Sequence, residues 1–594
     1  MGIAFGTAVV VLRNHYIKGY RGTYNHIKWS DIVDGKPFSF PVPGNRLTHV
    51  SSDQFAKIPG QPVAYWVSPR LFEIFDQAPS LGDLVATRTG LKTGNNSRFL
   101  RFWWEVASER TFFTALNVDE AAASGCTWFP YNKGGARRKW YGNNDYVVNW
   151  YNRGEVLIDK AKAEGRSVAD YPDEYKFAPC GTWSLVTSGR PTFRMKKYQL
   201  SDMAGMSFYK TKDTSDELFF YILGFCNTII AENILDVISS TVNFQAGDVA
   251  RLPIIVDDKY LPVVGSKVKE CIDLCREDWN AFETSWDFKV HPLIRPTKTI
   301  VEAYAEWVDE CTYRFNRLKE NEEQLNKIFL EIYGLQDQFD WQVDETNVSC
   351  RKADLEREIR SFISFAVGCM FGRYSLDGMR RSVAPANSEL FFDEGVDGFI
   401  LTDEPYLADD LVSRFISFVD TVYGKDHLAD NLDFIASAIG KKGNTKEVIR
   451  SYFLKDFYKD HLQIYQKRPI YWLFESGSYD AIKVFVYMQK WDAELIGRIR
   501  VRFLHRVQQI YTSESARMDE LINNSLNSRD KNEAEKRKNK LNKQHRECME
   551  YDEKLSQLVH CHTVIDLDDG VKVNHTKVQT TKDGTNLKIL ANIQ

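Results

Sequence analysis

Two stretches of this sequence carry side chains suited to holding a polyanion. From Cys126 to Trp150, the rings of Trp128, Phe129, Tyr131, Trp140, Tyr141, Tyr146 and Trp150 alternate with Lys133, Arg137, Arg138 and Lys139. The amides of Asn132, Asn143 and Asn144 lie among them, around a Gly-Gly pair. Guanidinium and ammonium groups suit phosphates and guanine edges, a carboxamide suits an adenine edge, and flat rings suit unstacked bases. The second stretch, Leu84 to Val106, places Arg88, Lys92, Asn95, Asn96, Arg98 and Arg101 on a turn, where Gly90 and Gly94 allow close backbone approach. It is not a nucleoside-triphosphate loop, because no Gly-Lys-Ser or Gly-Lys-Thr follows the glycines. The same composition serves plainer ends: an aromatic loop packed on a core with a solvated basic turn, a glycine-rich hairpin, or a surface for a protein partner.

Other chemistry is sparse. Asp393, Asp397, Asp403, Glu404, Asp409 and Asp410 form an acidic run whose spacing is not that of an ion-binding loop, which reads as surface. Ser476, in ESGSYD, lacks the glycine framing of a nucleophile elbow. The histidines are dispersed, and the 10 cysteines form no pair of pairs with zinc spacing; only Cys271 with Cys275 and the His560-Cys561-His562 cluster come close. No metal is expected, and scattered thiols fit a reducing cytoplasm.

The elements that must position these residues fall into two characters. With 594 residues, 43% hydrophobic, the chain is long enough for several domains, and a formal net charge of -4 confines any nucleic-acid surface to a local patch. Thr7 to Leu12 reads as a fully buried strand, so the chain looks as though it begins inside a domain whose earlier part is missing or supplied by another polypeptide. Strand patterns then dominate to about residue 260, with a helix over 217–238 and a turn and strand over 241–254. Beyond that, helical spacing prevails over 268–282, 301–333, 354–374, 404–423, 432–439, 445–465 and 479–527. A basic, charged helix follows over 529–546 and an extended strip over 564–590. The fold class is α+β: residues 1–35 as the tail of a Rossmann-like sheet, 36–260 as a mixed recognition domain, 261–563 as a helical domain, and 564–594 as a C-terminal strip. The most apolar helix, 221–238, carries Asn227, Glu232, Asn233 and Asp236, which argues against a membrane span.

The phrases AYWVSPR (64–70), TRTGLKTGNNSRFLRFWWEV (87–106), WFPYNKGGARRKWYGNN (128–144), NFQAGDVARLPI (243–254), LNKIFLEIYGL (325–335), SFAVGCMFGRYSLDG (364–378), RPIYWLFESG (468–477) and IDLDDGVKVN (565–574) resemble the C-terminal portion of the PglX family. These are the adenine-specific DNA methyltransferases of BREX phage-defence systems, more distantly similar to restriction-modification enzymes. The resemblance implies double-stranded DNA as partner, S-adenosylmethionine as the family's cofactor, and an Asn-Pro-Pro-Tyr motif holding the flipped adenine. This chain carries no Asn-Pro-Pro and no glycine-rich strand-turn-helix, so no cofactor and no catalytic residue are assigned to it. What remains resembles target recognition and a helical scaffold. Arg98, Arg101, Arg137, Arg138 and Lys139 are then expected to neutralise phosphates or read guanine, Asn95, Asn96, Asn143 and Asn144 to read adenine, and Trp140 or Tyr141 to act as wedge or platform. The rival expectation is a platform that docks a separate methyltransferase half or other BREX proteins; a third is a misplaced gene start in an ordinary methyltransferase.

Overall fold

The computed structural model describes residues 8–47, 50–165, 170–187, 189–239, 242–376, 396–440 and 443–593. Its first part departs from expectation. Residues 8–12 form no strand, and Val9, Val10, Val11 and Leu12 are between 68% and 95% exposed. An apolar run becomes a strand only where neighbours satisfy its backbone, and none pairs with it among the described residues; Thr7 lies outside them. Only short paired stretches follow, Tyr24–Asn25 with Arg46–Leu47 and Ile32–Val33 with Lys36–Pro37.

Two four-stranded sheets organise the next 150 or so positions. Strands β1 (Val85–Arg88), β2 (Leu100–Phe102), β3 (Trp128–Asn132), β4 (Tyr146–Asn149), β5 (Cys180–Thr182), β6 (Arg194–Lys196), β7 (Leu200–Ser201) and β8 (Ser207–Lys210) assemble in the orders β6-β5-β8-β1 and β7-β3-β4-β2. All pairs are antiparallel except β7 with β3. The strand-like runs at either end of the 88–101 turn therefore enter different sheets and do not make a hairpin. Polar side chains tie the sheets together: Asn132 Nδ2 donates to Thr182 Oγ1 at 2.6 Å, and Ser201 Oγ lies 2.9 Å from Tyr209 OH. Buried polar groups paired in this way specify one arrangement of the two layers.

Short helix α1 (Asn96–Phe99) belongs to the turn, and the helices beyond the sheets carry the rest. The helix expected over 217–238 is two, α2 (Asp216–Cys226) and α3 (Ile229–Ile238), bent by 72°. The bend is built into the sequence. Asn227 exchanges two hydrogen bonds with the backbone of Phe193, and Thr228 Oγ1 caps α3 by accepting from Ala231 N. No single helix among the described residues is long and apolar enough to cross a membrane, and the bent pair is largely buried core. Helices α4 (Leu261–Asn280) and α5 (Ile300–Tyr333) pack against it, α5 running from a Thr299–Glu302 capping box to Gly334 in the left-handed region at φ 64°.

Within 241–254, Ala246–Ala250 forms a helical turn entered through a Gln245–Asp248 capping box, and the strand expected to end at Leu252 is reduced to a single antiparallel bridge of Pro253 with Ser80. A larger correction falls in 479–527. There Lys483–Tyr487 forms β11, the central strand between β9 (Phe399–Leu401) and β10 (Tyr471–Glu475). All five of its residues are buried, and a strand covered on both faces loses the alternation that would announce it. The helical series ends in an antiparallel pair, α6 (His505–Asn524) and α7 (Ser528–Val559). The C-terminal stretch is not wholly extended: after Gly570 it forms α8 (Val571–Lys577). The architecture is α+β with a helical C-terminal region.

Candidate nucleic-acid interface

The turn after β1 is shaped by one glycine. A Cβ on Gly90 would come within 2.0 Å of Ser201 O, and the next amide, Leu91 N, donates to that same oxygen at 2.7 Å. This close approach carries Lys92 out into solvent beside Asp202, which bridges Leu91. Asn95 caps α1, its Oδ1 accepting from Arg98 N at 3.1 Å, while Asn96 Oδ1 accepts from Thr93 Oγ1 at 2.7 Å. Arg98 projects from α1 into solvent with its guanidinium near the Phe99 ring, 5.3 Å from the centroid. Neither Lys92 nor Arg98 pairs with a carboxylate among the described residues. Arg88 is half-buried over the Tyr175 ring, 4.8 Å from its centroid.

Arg101 points elsewhere. Its guanidinium donates to the carbonyls of Ser97, Leu100, Asp568 and Asp569 at 2.7 to 3.1 Å, clamping the C-terminal segment to the turn. Beside it the aromatic run enters the helical core, where Trp103 Nε1 donates to Thr284 O and Trp104 Nε1 to Arg468 O. Arg101 is a joint.

The second stretch divides. Its first part meets the turn: Asp202 N donates to Asn132 O, and Lys133 Nζ lies 2.7 Å from Asp202 Oδ2. Asp202 is thus the point where both stretches converge. Asn132 is fully buried between the sheets. The second part turns toward the helices. Arg138 pairs with Asp278 at 3.2 Å and lies over Trp279, and the buried Lys139 pairs with Glu322 at 3.0 Å. Trp140, fully buried at φ 69°, donates its indole N–H to the other Glu322 oxygen at 2.7 Å. Arg137 stays exposed, donating to Asn347 Oδ1 at 2.6 Å.

Beneath this loop lie two cations not expected from the sequence, Arg194 and Lys196 on β6, both fully buried. Lys196 Nζ donates to Gly142 O, Asn143 O and Asn144 Oδ1, and Arg194 donates to Arg138 O at 3.0 Å. Burial pushes the Lys196 ammonium well below its usual range, and the Arg194 guanidinium down to about 10. The carboxyl of neighbouring Asp145 is pushed up by burial to about 6, and the hydroxyl of half-buried Tyr141 likewise to about 12. Asn143 is held by Ala136 O at 2.8 Å, and Asn144 is buried.

Asn132, Lys139, Trp140, Asn143 and Asn144 are thus buried and committed to internal partners in this arrangement. Arg101 and Arg138 are spent on internal contacts. Lys92, Asn96, Arg98 and Arg137 remain exposed, with Arg88, Asn95, Lys133 and Tyr141 half-buried around them.

The acidic run is not plain surface either. Asp410 is fully buried against Arg450 at 2.6 Å, Asp403 pairs with Arg537 at 2.9 Å, and Asp397 with Arg502 at 2.6 Å. The last two pairs seat α7 and the helical turns leading into α6; Asp393 lies outside the described residues. Ser476 donates to Glu547 at 2.7 Å and accepts from Ile482 N, a closed turn. His291 sits 2.6 Å from Ser361, but its Nδ1 accepts from Leu293 N, which leaves the proton on Nε2. Such a ring donates to the serine and cannot take its proton. Among the described residues no three His, Cys, Asp or Glu side chains converge as metal ligands. Among the described residues β7–β3 is the sole parallel strand pair.

No family model matches the chain. Two curated proteins match it almost throughout. The adenine-specific methyltransferase PglX of Lacticaseibacillus casei (strain Zhang) is 37% identical over 98% of this chain and 50% of its own length. The adenine-specific methyltransferase BrxX of Escherichia coli O9:H4 (strain HS) is 31% identical over 96% of this chain and 48% of its own. The chain spans about half the length of these relatives, and over that half it is similar to adenine-specific methyltransferases of the PglX and BrxX kind.

Proposed function

We propose that this chain is the DNA target-recognition and scaffold portion of a PglX-type N6-adenine DNA methyltransferase in phage defence, working in the cytoplasm on double-stranded DNA. Catalysis, and the S-adenosylmethionine it consumes, belong to a methyltransferase portion that the described sheets do not build. The observation that carries this reading is the turn at 92–98. Lys92 and Arg98 stand exposed, without carboxylate partners among the described residues, beside the Lys133–Asp202 junction. Exposed, unpaired cations on a turn fixed by close packing are what phosphate contact requires.

Lys92→Ala with Arg98→Ala is expected to weaken duplex binding about tenfold at 0.1 M salt and to make the salt slope shallower by about 0.9 for each phosphate no longer neutralised. Fluorescence anisotropy across a salt series measures both. Unchanged affinity and slope would sink the assignment.

A second reading rests on its own observation. Val9 to Leu12, with Tyr16, Trp29, Phe38 and Phe40, are exposed apolar side chains within some thirty residues. Soluble surfaces rarely leave so many together, and a methyltransferase portion or another defence protein would cover them. Capture of a separately produced methyltransferase portion, abolished when Val9, Val11 and Leu12 become serine, with no DNA affinity in the isolated chain, would favour the platform.

A further inference from the structure

The C-terminal segment carries a feature that neither reading uses. An open cleft of about 750 Å³ is lined by Val564, Val573, Thr576, Lys572, Lys577 and Lys582 among others, and no carboxylate lines it. Helix α8 explains the lining. Val571, Asn574 and His575 are buried, so Lys572, Val573, Thr576 and Lys577 must face outward. The three lysines are exposed and make no ion pair among the described residues. Two acids of the same segment face Arg110 instead. Asp568 lies 2.5 Å from Arg110 and accepts from Trp128 Nε1, and Asp566 also faces Arg110. Two of the strap's acids thus lie against the sheets, while its three lysines, with Asp583 beside Lys582, lie around the cleft.

The strap that carries the cleft also packs on the end of the 88–101 turn. Gly570 packs so tightly on Arg101 that a Cβ there would meet Arg101 Nε at 2.7 Å, and Val571 N donates to Glu105 at 3.1 Å. Lys572 follows two residues after Gly570, within about 7 Å of it along the chain. Arg98 precedes Arg101 by three residues, on the α1 turn that the Arg101 guanidinium grips.

We propose that Lys572, Lys577 and Lys582 form a second phosphate-binding track, contacting the backbone of the duplex whose nearer part lies on Lys92 and Arg98. This rests on the DNA-recognition reading. The track would give affinity without sequence preference, because ammonium groups on phosphates read no base.

The test is Lys572→Ala, Lys577→Ala and Lys582→Ala together in the full chain, with Arg98→Ala as a companion, titrated with a duplex across a salt series. The triple variant should keep its melting temperature and bind matched and unrelated duplexes at least tenfold more weakly at 0.1 M salt, with a salt slope shallower by about 0.9 for each phosphate released. If it binds as the parent does while Arg98→Ala weakens binding, the track is wrong and the turn stands. If the parent binds no duplex at any salt, both fall together. A parallel titration with ATP alone separates the sources of phosphate: saturable ATP binding abolished in the triple variant, with duplex affinity unmoved, overturns the duplex assignment.

Discussion

The two basic, aromatic-flanked segments of this molecule read alike and fold to different ends. On the 92–98 turn, lysine and arginine stand in solvent with no carboxylate partner among the described residues. On the 138–140 loop, Arg138, Lys139 and Trp140 are drawn inward by Asp278 and Glu322 on the long helices α4 and α5. Residue type is the same; what differs is the supply of acid from elsewhere. A cation that meets a buried carboxylate becomes a fastener, and one that does not stays available to an outside anion. The two four-stranded sheets are therefore latched to the helical half by the very residues whose composition most suggests DNA.

The largest test of that contrast is to remove the acid. Glu322→Ala leaves the Lys139 ammonium buried and the Trp140 indole N–H without its acceptor, at a cost of about 3–5 kcal/mol. A fall of several degrees in thermal unfolding is expected, with Lys139→Met added to Glu322→Leu recovering part of it. If Glu322→Ala instead raises DNA affinity at unchanged stability, Lys139 is a binding residue after all.

Acid should separate the two regions next. His291, His461 and His575 are buried, and burial holds their imidazoles below the ordinary range, His291 down to about 3 and His575 to about 4. All three lie beyond β8 in the chain. The unfolded chain takes up protons first, so their stability is full above about pH 6.5 and declines as pH falls, by roughly 1 kcal/mol per histidine at pH 5.5. Asp145, just before β4, has the opposite sign: with its carboxyl raised to about 6, stability declines as pH rises from about 4 to 6. Hydrogen exchange at pH 7 and 5.5 should thus show the helices around His461 loosening while β4 does not. Uniform loosening would break the contrast.

Much of the frame was legible in the sequence because it rests on local signals. Helical spacing over 301–333 matches α5 (Ile300–Tyr333). What was not legible depends on partners far along the chain. Nothing near Lys139 announces Glu322, 183 positions away, and nothing near Arg101 announces Asp568 and Asp569, more than 460 positions away. The buried β11 and the bare run at 8–12 failed together, since an apolar stretch without alternation says only that it wants cover, not what supplies it. On the turn itself, local reading came nearer: Gly90 marked a close approach, and the structure requires one.

The smallest expected effect falls on Asn95, where the two possible roles give different answers. As a cap, its Oδ1 accepts from Arg98 N and holds the four-residue helix that presents Arg98. As an adenine reader it would need its carboxamide free for a base edge. Serine caps about as well as asparagine but has no amide, whereas alanine removes the cap at about 1 kcal/mol. Asn95→Ala should therefore weaken binding to every duplex alike by a few fold, through a less ordered Arg98. Asn95→Ser should bind as the parent does, matched and mismatched sites included. If Asn95→Ser instead loses discrimination between adenine-containing and substituted sites while total affinity holds, Asn95 reads a base, and the exposed turn specifies sequence as well as gripping phosphate.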